Sequence, residues 1–169
     1  MEFEKPALDF LYRYLNNFSP TGFETDGQKL WMEYLRPHVD EFITDAYGTA
    51  VGVINPGQPY KVVIEAHADE IAWFVSYITK EGFLYVRRNG GSDAVIAPGK
   101  RVTLFGDKGP VKGVFGWPAI HIRSKEEKPE NPKQENIWID VGAKDDLEVR
   151  AMGIRPGTVA VFEDGLFEL

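Results

Sequence analysis

The sequence predicts an α/β unit followed by a small β-barrel or β-sandwich, and three features predict it. Apolar residues recur twice at helical spacing before Pro37, and a continuous apolar run, Val62–Ile64, comes after them. Beyond Ile71 no helical stripe is visible, only short β-type runs separated by turns. The fold therefore divides near Ile71. Residues 1–70 form the α/β portion, residues 71–162 the β-domain, and residues 163–169 a segment returning toward the first part.

Pro6 suits the first turn of a helix whose stripe is Leu8, Leu11, Tyr12, Leu15 and Phe18, a face expected to pack on a sheet. Ser19–Glu24 (SPTGFE) breaks that pattern and reads as a helix–helix connection. A second helix spans about Asp26 to Arg36 with Leu30, Trp31, Tyr34 and Leu35 inward, and Pro37 ends it. Val39–Thr44 and Val51–Ile54 are strands joined through Asp45-Ala46-Tyr47-Gly48, and a turn rich in Asn55, Pro56, Gly57 and Pro59 follows.

Val62–Ala66 then reads as a buried strand delivering Glu65, His67, Asp69 and Glu70 at its C-terminal end, where open α/β sheets place their chemistry. Neutral imidazole is a common zinc ligand, and an aspartate two residues on can hold its second nitrogen and fix the ring. A bare HxD recurs by chance, and by itself reads as a solvated acidic turn.

In the second part the strands are Ala72–Ile78, Phe83–Val86, Arg101–Phe105, Val111–Phe115, Ile137–Val141 and Val159–Phe162. Thr79–Gly82 and Gly106–Gly109 are hairpin turns. Alternation puts His121 on the face opposite Ile120 and Ile122, as a polar surface residue. His38 is most simply a helix-terminal histidine. Ser124–Glu135, charged and bearing prolines, reads as an exposed loop.

Composition narrows the function. The chain is 43% hydrophobic and 27% charged, the mixture of a soluble globular protein. Its net charge of −7 argues against a nucleic-acid surface, which needs clustered Lys and Arg. With no cysteine, any metal must be held by His, Asp and Glu, and a cytoplasmic setting fits. The N-terminus lacks the apolar core of a signal peptide, and no apolar run is long enough to cross a membrane.

Seven segments in order, SPTGFE, Asp45–Gly48, AHADEIAWFV around His67, Gly82–Gly91, Gly113–His121, Ile139–Lys144 and Gly153–Phe162, resemble the glutamyl aminopeptidase or tetrahedral aminopeptidase family. These are dinuclear metallopeptidases, some labelled endoglucanase. Ala68 and Ala72 stand where the family usually has Met and Gly. The resemblance implies the N-terminal part of a metallopeptidase α/β domain with an inserted β-barrel that builds the oligomer and controls access. It implies His67 as a metal ligand, Asp69 as its supporting catalytic carboxylate, two zinc or cobalt ions in the intact enzyme, a peptide substrate and a homo-oligomer. It places the SPTGFE loop near the cleft. The remaining ligands and the general base belong to motifs beyond Leu169, so the chain alone is expected to be incomplete and inactive. A non-catalytic binding or assembly module and a glycoside hydrolase are the alternatives. Trp117 and Trp138 are either part of an oligomer surface or core.

Overall fold

The computed structural model describes residues 3–123 and 131–166. They divide into two compact units, Met1–Glu70 with Gly165–Leu169, and Ile71–Asp164.

In the first unit, α1 (Lys5–Leu15) and α2 (Thr25–Leu35) form where the two stripes lie. Phe10 stacks on Tyr34 across them at 4.0 Å. A 3-10 turn, Arg36–His38, ends α2 at Pro37, and β1 (Glu41–Thr44) pairs antiparallel with β2 (Ala50–Val53). The sheet contact belongs to α2: Trp31 meets Phe42 edge-on at 6.3 Å, and Gly52 lets Val39 and Leu35 approach so closely that a Cβ would lie 2.9 Å from Val39 Cγ1. The expected packing of α1 on a sheet is not found. Leu8, Leu11 and Leu15 stay exposed because the hairpin is taken by α2.

The larger correction concerns Val62–Ala66, which forms no strand. A run apolar on both faces is stable as a strand only with hydrogen-bonding neighbours and cover on each side. Among the described residues β1 and β2 pair only with each other, and Ile64 is 96% exposed.

The second unit is a closed antiparallel barrel in the order β3-β4-β7-β6-β5-β8. Its strands are β3 (Ala72–Ile78), β4 (Leu84–Asn89), β5 (Arg101–Gly106), β6 (Gly109–Gly116), β7 (Trp138–Asp140) and β8 (Val159–Phe162). Closure between β3 and β8, with Trp73 opposite Ala160, decides the barrel over the sandwich. Alternation turns Trp73, Val75, Leu84, Val86, Val102, Leu104, Phe115 and Ile139 into one buried core. Trp117 packs partly buried against that core with the Arg123 guanidinium 3.5 Å over its ring, and Trp138 meets Phe83 edge-on.

Two features of this unit differ from expectation. A short helix, α3 (Asp146–Ala151), contributes Val149 to the core, with the Asp145 carboxylate accepting from Glu148 N–H at its start. His121 sits in an exposed 3-10 turn, Ile120–Ile122, where strand alternation does not apply. The expected loop Ser124–Glu135 lies outside the described residues up to Glu130, and its end leads into a 3-10 turn at Gln134–Asn136.

On the barrel, the Thr103 hydroxyl donates to Glu163 Oε1 at 2.8 Å, and Lys112 bonds to both side chains. Lys112 above all, and Thr103 next, hold the Glu163 carboxyl below its ordinary value of 4.5. A lowered carboxylate pKa stabilises the fold fully above that ordinary value, and the contribution is lost as pH falls through the folded one. Acidification below about 4.5 is therefore expected to lower the barrel's thermal midpoint more in the native chain than in Glu163→Gln. Lys112 is 71% exposed, so the difference stays under about 1 kcal/mol. Equal acid sensitivity of the two proteins, read by calorimetry, counts against it.

Candidate functional site

The site is built in the first unit by stitching together two segments about 50 residues apart in sequence. Pro20 and Glu70 form a parallel bridge, with Glu70 N–H donating to Ser19 O at 2.8 Å and Thr21 N–H to Glu70 O at 3.4 Å. The Glu70 side chain closes the same contact, its Oε1 accepting from Ser19 N–H at 2.7 Å. Partial burial raises the Glu70 pKa, and the Ser19 N–H opposes that shift. Glu70 is thus a latch between the segments.

This stitching positions His67 and Asp69. His67 Nδ1 lies 2.9 Å from the Asp69 carbonyl oxygen and 3.1 Å from Asp69 Oδ1. Both neighbours are acceptors, so Nδ1 carries the hydrogen and the Nε2 lone pair is left available. The second oxygen, Asp69 Oδ2, accepts from the Thr21 hydroxyl at 2.6 Å. That bond first, and His67 next, lower the Asp69 pKa, keeping the carboxylate ionised. The His67 side chain is 84% exposed and that of Asp69 34%.

The segment 67–70 lies between two shallow concavities. One, of about 240 Å³, is lined by Tyr14, Leu15, Asn17, Ser19 and residues 67–70. The other, of about 200 Å³, is lined by Glu24, Gln28, Tyr47, Gly48, Thr49, Ala66, Ala68 and Asp69. The wall of the second is set by Asp45, whose carboxylate accepts from the Tyr47 and Thr49 N–H groups and is thereby held below its ordinary pKa, chiefly by Thr49.

The structure brings together His67 and Asp69 and adds Thr21 and Ser19, which the reading of SPTGFE as a connection between helices left out. That stretch does connect α1 to α2, and it also grips residues 69 and 70. His38 ends the 3-10 turn with its ring 6.1 Å from Tyr34. Among the described residues no group of three or more His, Cys, Asp or Glu side chains comes together to hold a metal ion. An imidazole with its Nε2 lone pair open is a donor of the kind a divalent ion takes.

Comparison with known proteins identifies the lineage. The family model of the M42 glutamyl aminopeptidases matches residues 48–169. A curated relative in Escherichia coli (strain K12), whose name places it provisionally among aminopeptidases, is 34% identical over 88% of this chain and 40% of its own length. The TET aminopeptidase structure from the marine sediment archaeon Thaumarchaeota archaeon SCGC AB-539-E09 superposes with a TM-score of 0.90 at 26% identity, covering 96% of this chain and 46% of that one. The Pyrococcus horikoshii TET1 peptidase, described as able to assemble into a tetrahedron or a large octahedral shell, gives 0.78 at 26% identity over 92% and 46%. This chain thus spans about half the length of these relatives. Its sequence, barrel and ordered segments show that it belongs to the M42 glutamyl aminopeptidase family.

Proposed function

We propose that the protein removes N-terminal residues from peptides in a metal-dependent reaction, and that His67 and Asp69 belong to its metal centre. The observation that carries the reading is the arrangement at His67: Nδ1 faces two oxygens within 3.1 Å, so Nε2 is the free donor. Nε2 would be one ligand of a zinc or cobalt ion, in a centre of two such ions. Asp69 would hold the ring orientation and raise its basicity. A divalent ion, when bound, lowers the pKa of a water and polarises a carbonyl. The concavities beside residues 67–70 leave the His67 side of the segment open to an approaching peptide end.

A glycoside hydrolase needs two carboxyl groups facing a sugar link. Here the carboxylates beside His67 are already engaged, Asp69 by Thr21 and His67, and Glu70 by the Ser19 amide. We also propose a homo-oligomer, supported by the assembly of the related TET1 peptidase, and a cytoplasmic location, supported by the cysteine-free sequence. No helix among the described residues is long and apolar enough to cross a membrane.

The gene product, at whatever length its host makes it, is expected to hydrolyse aminoacyl-p-nitroanilides when zinc or cobalt is supplied, to lose that activity to chelator, and to leave carboxymethyl-cellulose intact. Cellulose cleavage without anilide cleavage overturns the peptidase reading. Activity toward neither, with metal bound, favours an assembly module.

A further inference from the structure

We propose that Thr21 is a positioning residue for the metal centre: its hydroxyl anchors the Asp69 carboxylate so that His67 is held with Nδ1 protonated and Nε2 presented to a divalent cation. The metal part of this inference rests on the function proposed above. The part concerning the His67 ring does not.

The geometry leads there in three steps. Asp69 is joined to its neighbours through different oxygens, Oδ1 to His67 at 3.1 Å and Oδ2 to Thr21 at 2.6 Å. A carboxylate held only by Oδ1 pivots about its Cβ–Cγ bond, a broad torsion with a shallow energy surface. A second bond at Oδ2 removes that pivot.

Thr21 is itself fixed. Its N–H donates to Glu70 O as one of the two hydrogen bonds of the Pro20–Glu70 bridge, and Ser19 N–H holds the Glu70 carboxylate. A β-branched side chain on such a backbone has few χ1 choices, so the hydroxyl arrives in place. The ring of His67, 84% exposed, has no such restraint of its own. Its Nδ1 meets the Asp69 carbonyl at 2.9 Å, which the backbone places, and Asp69 Oδ1 at 3.1 Å, whose orientation Thr21 sets through Oδ2.

The chain contains only three histidines, His38, His67 and His121, so ring nitrogens are assignable by nitrogen-15 NMR in the 169-residue chain. At pH 8.5, where imidazole is neutral, the His67 signals are expected to report a predominantly Nδ1–H tautomer. Thr21→Val, which keeps the side-chain shape and deletes the hydroxyl, should move the populations toward Nε2–H, and Thr21→Ser should restore them. His38 and His121 should not respond.

Titration with cobalt(II), followed by paramagnetic shifts of the His67 ring protons, supplies the second readout. Outer partners of metal ligands are worth roughly 10–100-fold in affinity. Thr21 acts one bond further out, so Thr21→Val is expected to weaken the cobalt effect by about 3–10-fold. Thr21→Ser should lie within about twofold of the native protein.

An unchanged tautomer in Thr21→Val overturns the proposal. So does failure of Thr21→Ser to restore it, because a hydroxyl at position 21 would then not be what sets the ring. Absence of any cobalt effect at His67 in the gene product, at whatever length its host makes it, overturns the metal reading instead, while the tautomer populations still decide whether Thr21 sets the ring.

Discussion

Replacing Trp73 with alanine is expected to destabilise the barrel by about 3–5 kcal/mol. Trp73 is fully buried on β3 and is the largest side chain in the core. Its ring meets Phe115 at 5.2 Å and Phe162 at 6.2 Å, both edge-on, and those two rings meet each other at 5.7 Å. The three sit on strands that come together only when β8 closes the barrel, so removing the indole opens a cavity where β3, β6 and β8 converge. Trp73→Phe should behave differently. The indole N–H is buried with no hydrogen-bond partner among the described residues, and an unpaired buried donor costs about 1–3 kcal/mol. Phenylalanine removes that donor and keeps the aromatic edges, offsetting part of the lost volume. Denaturant unfolding followed by amide signals of β3–β8 should place Trp73→Phe well under half the loss of Trp73→Ala. Equal losses would mean that the indole N–H is satisfied after all.

The barrel was legible because its strands carry their own pattern. Trp73 and Val75 on β3, Leu84 and Val86 on β4 and Val102 and Leu104 on β5 point inward at every second position, and the hairpin turns at Thr79–Gly82 and Gly106–Gly109 fix the pairing of neighbours. The helix α3 escaped notice because six residues are too few to show a stripe, although its ends are written in the chain. Asp145 with Glu148 three places on is an N-terminal capping pair, and Gly153, at φ +87°, takes the left-handed position after the last turn.

Val62–Ile64 misled in the opposite sense. The run records a preference for neighbours on both faces, and a preference is not a partner. Among the described residues nothing pairs with it. At the candidate site, the two-residue spacing of His67 and Asp69 by itself reads as a solvated turn, and only the resemblance of the segment around them singles the pair out; Thr21 is marked by neither. Its 2.6 Å bond spans 48 positions, and only the Pro20–Glu70 bridge brings it there. No local pattern encodes such a contact.

The sharpest functional test separates a lost donor from a loosened one. In the metal-loaded gene product, His67→Ala should nearly abolish occupancy of the ion it ligates and the peptidase activity with it, because a first-coordination bond is deleted. Asp69→Asn should keep the ion but weaken it by about 10–100-fold, because an amide can still meet the ring through its oxygen while losing the charge that raises imidazole basicity. The local geometry supports that order. The Asp69 carbonyl also accepts from His67 Nδ1, at 2.9 Å, and it survives the change to asparagine, whereas His67→Ala deletes Nε2 outright. The 169-residue chain alone is expected to show no tight dinuclear site and no anilide hydrolysis, because one imidazole cannot by itself hold a four-coordinate ion. Metal analysis after chelator washing and zinc or cobalt return decides both points. Two equivalents retained by the 169-residue chain, or full occupancy in His67→Ala, would move the metal centre to other residues and remove His67 from it.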